Sequence, residues 1–174
     1  MVSTMNATSV SRLSRIPDVP NVQRLMTNPD VTLRPVNDDN VQAVIDLAVA
    51  DDQQDFVAPN VKSLAQAFAT TKVWVRAVYL GDDPVGFVMV SDDDEKPRYY
   101  LWRFMIDARF QGRGIGRRAM QLVHEYVLAR PGGDRIFLSY VPADGGPEMF
   151  YKSLGYEDTG VEHGGELEAV LELS

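Results

Sequence analysis

With 174 residues, of which 45% are hydrophobic, and a formal net charge of −8, the chain is long enough for one substantial core and short for two domains. The acidity argues against nucleic-acid binding, which needs Lys and Arg concentrated on one face, and favours a cationic partner, although solubility alone explains most of it. The chain has no cysteine and two histidines, which excludes disulfides and thiolate chemistry and leads us to expect no metal.

Residues 1–30 are predicted to form an N-terminal arm, because their apolar positions follow neither the strand period nor the helix period. The folded domain is predicted to span residues 31–174. No segment has the roughly 18 uncharged apolar residues of a membrane-spanning helix, and the polar start lacks the apolar run of a secretory signal. We therefore expect a cytoplasmic protein without a membrane partner.

The predicted domain begins with a strand and two helices. Residues 31–36 alternate like a strand, and the polar residues 37–39 then precede apolar side chains at helical spacing. A loop over residues 51–60 follows. Asn60 is predicted to cap a second helix that runs through Phe68.

Three strands follow, which we interpret as an antiparallel meander. The first two, residues 73–80 and 85–90, are joined by a Gly-Asp-Asp-Pro turn that favours a hairpin. The acidic residues 92–95 are predicted to form a solvated turn. The third strand is predicted over residues 98–106.

The remaining elements begin at a glycine-rich turn. The glycines within residues 112–116 lead into a long helix that ends at the Pro and Gly residues 131–133. The last predicted elements are a strand over 135–141, a short helix over 147–154, and strands over 156–161 and 166–173. This order predicts an α/β (α+β) fold, a single domain whose mixed, largely antiparallel central sheet is flanked by helices.

The glycine turn is the most informative segment of the sequence. Gly112, Gly114 and Gly116 let the backbone bend tightly and aim several N–H groups at one point, where the positive end of a helix favours a phosphate. Arginines within residues 113–118 add positive charge. The spacing is that of neither a P-loop nor a Rossmann turn, so a nucleotide binder is disfavoured. We predict an anion-binding turn, with a purely structural loop as the alternative.

Residues 111–116, Gln-Gly-Arg-Gly-Ile-Gly, resemble the Gln/Arg-x-x-Gly-x-Gly/Ala signature of the GNAT N-acetyltransferases. Residues 148–156 resemble the Phe-Tyr-x-x-x-Gly-Phe segment of the same family, and the predicted element order follows that of the family over residues 31–173. The resemblance implies a GNAT-like domain and an acetyl-CoA-dependent N-acetyltransferase, an acyltransferase with acetyl-CoA as its cosubstrate. Many relatives pair, so it also implies a homodimer.

The resemblance assigns cofactor binding to the end of the third meander strand, the glycine turn and one later position. These residues are Phe104, Met105, Ile106, Gln111, Gly112, Arg113, Gly114, Ile115, Gly116, Arg117 and Asp144. Main chain at 111–117 would wrap the CoA diphosphate, and main chain at 104–106 would pair with pantetheine. Asp144 stands where the family usually has asparagine, so a contact that needs an amide N–H would be lost there.

Tyr151 matches the family position whose hydroxyl protonates the departing CoA thiolate, with a core tyrosine as the alternative. His124 is interpreted as a structural histidine of the long helix. The amine that attacks must first lose a proton, because a pKa near about 10.4 keeps aliphatic amines protonated at neutral pH. No base stands out: Glu148, Glu166 and Asp55 are candidates, each with a structural role as the alternative.

A narrower resemblance, in residues 55–60, 85–89 and 101–107, is to the bacterial diamine and spermine/spermidine acetyltransferases. It predicts a polyamine substrate, attacked directly in a ternary complex. The residues expected to bind the amine are Asp51, Asp52, Asp55, Phe56, Trp102 and Glu166. Exposed carboxylates and core packing are the alternative roles of these side chains. The alternative functions are acetylation of an aminoglycoside-like antibiotic or another amine, and a non-catalytic acyl-CoA-binding module.

Overall fold

The computed structural model of the protein describes residues 30–93 and 98–174. Residues 1–29 of the predicted arm, and positions 94 and 95 of the predicted acidic turn, lie outside the described residues. The helices within the described part are α1 (Val41–Ile45), α2 (Asn60–Phe68), α3 (Ile115–Leu128) and α4 (Glu148–Ser153). The strands are β1 (Val31–Pro35), β2 (Val73–Leu80), β3 (Asp83–Ser91), β4 (Tyr99–Ile106), β5 (Arg135–Tyr140), β6 (Glu157–His163) and β7 (Glu166–Glu172). Short 3-10 helices lie at Asp51–Gln53 and Ala108–Phe110.

The strands form one seven-stranded sheet in the order β1-β2-β3-β4-β5-β7-β6. The pair β4–β5 is parallel, and the other pairs within this sheet are antiparallel. The order of helices and strands along the chain is the predicted one. A mixed, largely antiparallel sheet with flanking helices therefore confirms the predicted α/β (α+β) fold class.

Apolar cores lie on both faces of the sheet. In β3, Phe87 and Met89 point to one face and pack in the same core as Val44 of α1. Val88 and Val90 point to the other face and share a core with the buried side of α3. Because successive side chains of a strand alternate between faces, the continuous apolar run of β3 contributes to both cores.

The parallel strands β4 and β5 separate before they end. They pair over three residues each, up to Leu101 and Leu138. Strand β4 nevertheless continues to Ile106 and β5 to Tyr140, so their carboxyl ends are not joined by ladder hydrogen bonds. In the register with β3, Trp102 is an extra residue, a β-bulge that bends β4 at the point of separation. The sheet therefore has a gap between the ends of its two parallel strands.

The prediction that Asn60 caps α2 is wrong. Pro59 occupies the N-cap position, and no side chain caps this helix end. Asn60 is the first helical residue, and its buried Nδ2 donates to the Val44 carbonyl at 2.8 Å and lies 3.7 Å from the Met105 sulfur. The Val44 carbonyl at the end of α1 also accepts from the Leu47 N–H at 3.4 Å, and the added bond from the Asn60 amide fixes α2 against α1.

Candidate active site

A cavity of about 470 Å³ opens at the gap between β4 and β5. It is lined from the connection between α1 and α2, from the end of β4, from the glycine turn, from the loop after β5 and from α4. These residues are Val49, Gln53, Phe56, Val57, Phe104, Met105, Ile106, Gln111, Gly112, Gly114, Gly116, Arg117, Gly145, Gly146, Pro147, Phe150 and Tyr151. The cavity thus brings together the strand end, the glycine turn and Tyr151, which the sequence analysis singled out separately.

The main-chain N–H groups of the glycine turn are available to donate to a ligand. No described residue accepts a hydrogen bond from the N–H groups of residues 111–117, and the first such bond at this end of α3 runs from Arg118 to the Gly114 carbonyl at 3.0 Å. Gly112 (φ 72°) and Gly114 (φ 77°) adopt the left-handed conformation that glycine permits. A helix N-terminus with several unused N–H groups is a site for an anion such as a phosphate.

The arginines near the turn differ in their contacts. Arg113 lies with its guanidinium 5.5 Å from the ring centroid of Phe110, and Arg118 pairs with Glu125 at 3.4 Å. Arg117 donates to the carbonyl and the hydroxyl of Ser153, at 3.1 and 2.8 Å, although it also lines the cavity. Arg117 therefore joins the start of α3 to the end of α4 in addition to adding positive charge at the turn.

The end of β4 presents main-chain groups to the cavity, and of these the Ile106 carbonyl already accepts from Gln111 Nε2 at 2.9 Å. The Asp107 N–H donates to the Val85 carbonyl of the neighbouring strand at 2.9 Å. By the alternation of an antiparallel ladder, Met105 then bonds toward β3, whereas Phe104 and Ile106 direct their N–H and C=O groups to the opposite, unpaired edge. That edge can hydrogen-bond an extended ligand with amide groups.

Gln53 and Asp107, which the sequence analysis did not select, hold the α1–α2 connection against this strand end. Gln111 donates through Nε2 to the Ile106 carbonyl at 2.9 Å and to Gln53 Oε1 at 2.8 Å. Asp107 is only 3% exposed and accepts from the Ala48 N–H at 3.2 Å. Hydrogen bonds from Arg109 to Asp107 lower the pKa of this carboxyl group, so it is ionised at neutral pH. The connection is thereby fixed as one wall of the cavity.

Tyr151 is 8% exposed and lines the cavity from α4. Its ring packs against those of Phe150 and Tyr156, with centroids 5.4 and 5.7 Å away. Burial raises the pKa of the Tyr151 hydroxyl well above its usual value, and no other described residue forms a hydrogen bond with it. The hydroxyl therefore stays protonated at neutral pH and is available to donate to a group in the cavity.

The model of the Acetyltransferase (GNAT) family matches residues 41–156. The chain belongs to the GNAT family. It is 27% identical over 150 residues to the spermine/spermidine N(1)-acetyltransferase of Bacillus subtilis (strain 168), covering 82% of this chain and 99% of that protein. The prediction of an acetyl-CoA-dependent N-acetyltransferase is thus confirmed.

Solved structures share the GNAT fold. The PaiA N-acetyltransferase from Thermoplasma acidophilum, in complex with coenzyme A, superposes with a TM-score of 0.61 at 12% identity over 82% of this chain and 98% of that one. A chimera of the spermidine N-acetyltransferase SpeG from Vibrio cholerae and hSSAT gives a TM-score of 0.63 at 13% identity over 82% and 95% of the two chains. At these identities the likeness concerns the fold alone.

The residues predicted to bind the amine of this GNAT enzyme are not gathered in the cavity. Phe56 lines it. Trp102 packs in the core beneath α1 and α2, with the Arg103 guanidinium 5.6 Å from its ring centroid. Glu166 is exposed at the start of β7. The remaining predicted carboxylates are exposed near the Gln53 wall without lining the cavity: Asp51, Asp52 and Asp55.

Three of the residues predicted to bind the cofactor do not line the cavity: Arg113, Ile115 and Asp144. The Ile115 side chain is 1% exposed and packs in the core under α3, so only its main chain faces the turn. Asp144 is exposed in the loop after β5, and the neighbouring Gly145 and Gly146 line the cavity instead.

His124 has a structural partner in this GNAT domain. Its Nε2 lies 3.1 Å from the Tyr156 hydroxyl, and burial lowers the pKa of His124 to about 4. The second histidine, His163, belongs to β6. Within residues 30–93 and 98–174, no three His, Asp or Glu side chains are grouped as a metal site requires. None of the helices in the described part of the chain is long and apolar enough to cross a membrane.

We predict that the fold loses stability in mild acid, because His124 is buried beside Tyr156. The unfolded chain binds a proton at His124 near pH 6.5 and the folded chain only near about 4, so stability falls as the pH drops through this window. The loss is at most about 3 kcal/mol. Urea denaturation at pH 7 and pH 5 checks this: the deficit of His124→Gln relative to the wild type should be smaller at pH 5. An equal deficit at both values would contradict it.

Proposed function

We propose that the enzyme transfers the acetyl group of acetyl-CoA to a primary amine of a small polycation, with spermidine, spermine and related diamines as its substrates. The observation that carries the proposal is the unused row of N–H groups at residues 111–117, beside a cavity that runs along the free edge of β4 to Tyr151. The diphosphate of acetyl-CoA would bind this row, and its pantetheine arm would pair with Phe104 and Ile106.

The reaction follows from these positions. The nitrogen of the neutral amine attacks the thioester carbon, so that the C–N bond forms as the C–S bond breaks. A main-chain N–H of the β4 edge would stabilise the negative charge on the carbonyl oxygen. Tyr151 would donate its hydroxyl hydrogen to the departing sulfur, and the proton that the attacking nitrogen loses would replace this hydrogen on the Tyr151 oxygen. The products are the N-acetylated amine and the free thiol of CoA.

The apolar wall of the cavity favours an amine with a long alkyl chain as the substrate. Val49, Phe56 and Val57 form an apolar surface beside the strand end. Such a surface disfavours an ammonium ion and so lowers the pKa of an amine that reaches it, which favours the neutral, attacking form. The carboxylates of Asp51, Asp52 and Asp55 remain in solvent nearby, where they would hold the distant ammonium groups. The spermine/spermidine N(1)-acetyltransferase relative supports the same substrate class.

An amine panel with detection of released CoA thiol tests the substrate. We expect spermidine and spermine to be acetylated with a KM at least about tenfold lower than that of a monoamine of similar length, since only a polycation engages the carboxylates. In the variant with Asp51, Asp52 and Asp55 changed to Asn, the KM values of the polyamines and of the monoamine should lie closer together. Absence of activity on spermidine and spermine would contradict the polyamine proposal, and activity confined to an aminoglycoside would establish the alternative. The homodimer that the resemblance implies stays a prediction, to be checked by sedimentation.

A further inference from the structure

The hydrogen bonds of Gln111 fix the orientation of a second amide, that of Gln53. The Ile106 carbonyl can only accept, so the group of Gln111 that lies 2.9 Å from it is the NH2. The other hydrogen of that NH2 points at Gln53, 2.8 Å away, and the atom that receives it must be the Gln53 oxygen. The Gln53 NH2 is therefore turned away from Gln111.

This leaves two N–H donors of Gln53 without a partner, because no described residue accepts a hydrogen bond from them. Gln53 lines the cavity, and the other lining residues of the α1–α2 connection, Val49, Phe56 and Val57, are apolar. A single polar group on an apolar pocket wall is the usual means of orienting a bound ligand. The ligand group that suits it is an oxygen that accepts hydrogen bonds.

We propose that the Gln53 NH2 donates to a carbonyl oxygen of the pantetheine arm of acetyl-CoA. A polyamine has no oxygen, its ammonium groups only donate, and the lone pair of its neutral nitrogen is needed for the attack. The pantetheine arm, in contrast, carries two amide carbonyls, which CoA and acetyl-CoA share. Through Gln111, the same contact links the cofactor to Ile106 of β4 and makes Gln53 a positioning residue for the arm. The inference rests on the proposed acetyl-CoA site.

Calorimetric titration with two ligands tests the assignment. One ligand is CoA, and the other is adenosine 3′,5′-bisphosphate, which lacks the pantetheine arm. Gln53→Glu keeps an oxygen for Gln111 to donate to and replaces the free NH2 by a second oxygen. We expect it to weaken CoA binding at least about tenfold and binding of the bisphosphate less than about twofold. Gln53→Met, which removes the donor without adding charge, should show the same selectivity.

The matched control is Gln54→Glu, which adds the same charge at the adjacent, exposed residue whose Nε2 bonds to Asp51 at 3.0 Å. It should bind both ligands within about twofold of the wild type. The pantetheine contact would be overturned if the Gln53 variants weakened the binding of both ligands equally, or the binding of neither. Unchanged CoA binding with a raised KM for an oxygen-bearing amine would also overturn it and would assign Gln53 to the substrate. A wild-type protein that fails to bind CoA would instead overturn the proposed function itself.

Discussion

Replacing Tyr151 by Phe is expected to lower kcat at least about 100-fold while changing the Kd for acetyl-CoA less than about twofold. The substitution removes only the hydroxyl, which no described residue uses, and retains the ring that packs against Phe150 and Tyr156. The folded state therefore loses little. The departing thiolate loses its donor, so the effect falls on the transition state. Steady-state kinetics with thiol detection and calorimetric binding of acetyl-CoA measure the two quantities.

Tyr156→Phe is the matched control for this experiment. Tyr156 is a buried neighbouring tyrosine, and its hydroxyl bonds to His124 instead of facing the cavity. We expect a kcat within about threefold of the wild type together with lower stability. A wild-type kcat in Tyr151→Phe would remove Tyr151 from the reaction while leaving the fold assignment intact. A loss of kcat above neutral pH that vanishes in this variant would contradict the raised pKa of Tyr151, because burial keeps that hydroxyl protonated.

The parts of the fold that sequence predicted well are those set by local chemistry. The alternation of β2 and β3, the helical spacing of α3, and the glycines that end one element and begin the next are all short-range signals. The same holds for the glycine turn, whose conformation requires φ > 0 at Gly112 and Gly114. The unused N–H groups of the turn follow from this geometry, and a sequence motif is enough to locate them.

The gap in the sheet and the wall of the cavity depend on contacts between distant residues. Nothing in the apolar run of β4 indicates that pairing with β5 stops at Leu101 or that Trp102 forms a bulge. In the local sequence, Gln53 has the pattern of an ordinary polar loop residue, and Asp107 that of an ordinary turn residue. Their roles arise because Gln111 and Ala48 are brought against them by the fold. The prediction that Asn60 is a cap fails for the same reason: its side chain could cap a helix locally, but in the fold it binds the Val44 carbonyl.

The second large effect is expected at the glycine turn, where Gly116→Asp should weaken acetyl-CoA binding at least about 100-fold at low salt. Gly116 is the second residue of α3 and lines the cavity, so the new carboxylate would stand within a few ångströms of the bound diphosphate. At an effective dielectric constant of about 20, two charges 4 Å apart repel by about 4 kcal/mol. The helix itself tolerates the change, because an acidic side chain in the first turn is favoured by the helix dipole.

The variant Gly116→Ala separates the effect of side-chain size at this position from the effect of the added charge. A Cβ at this position would lie 3.4 Å from the Phe150 ring and 3.6 Å from the Ile106 side chain, which are ordinary van der Waals distances. The alanine variant should therefore bind acetyl-CoA within about fivefold of the wild type, and rising salt should narrow the gap between the two variants by screening the added charge. If the two variants bind equally well at low salt, no diphosphate lies against this end of α3. The cofactor would then have to reach Tyr151 without the N–H groups of residues 111–117, for example by way of the start of α4, whose residues Pro147 and Phe150 also line the cavity.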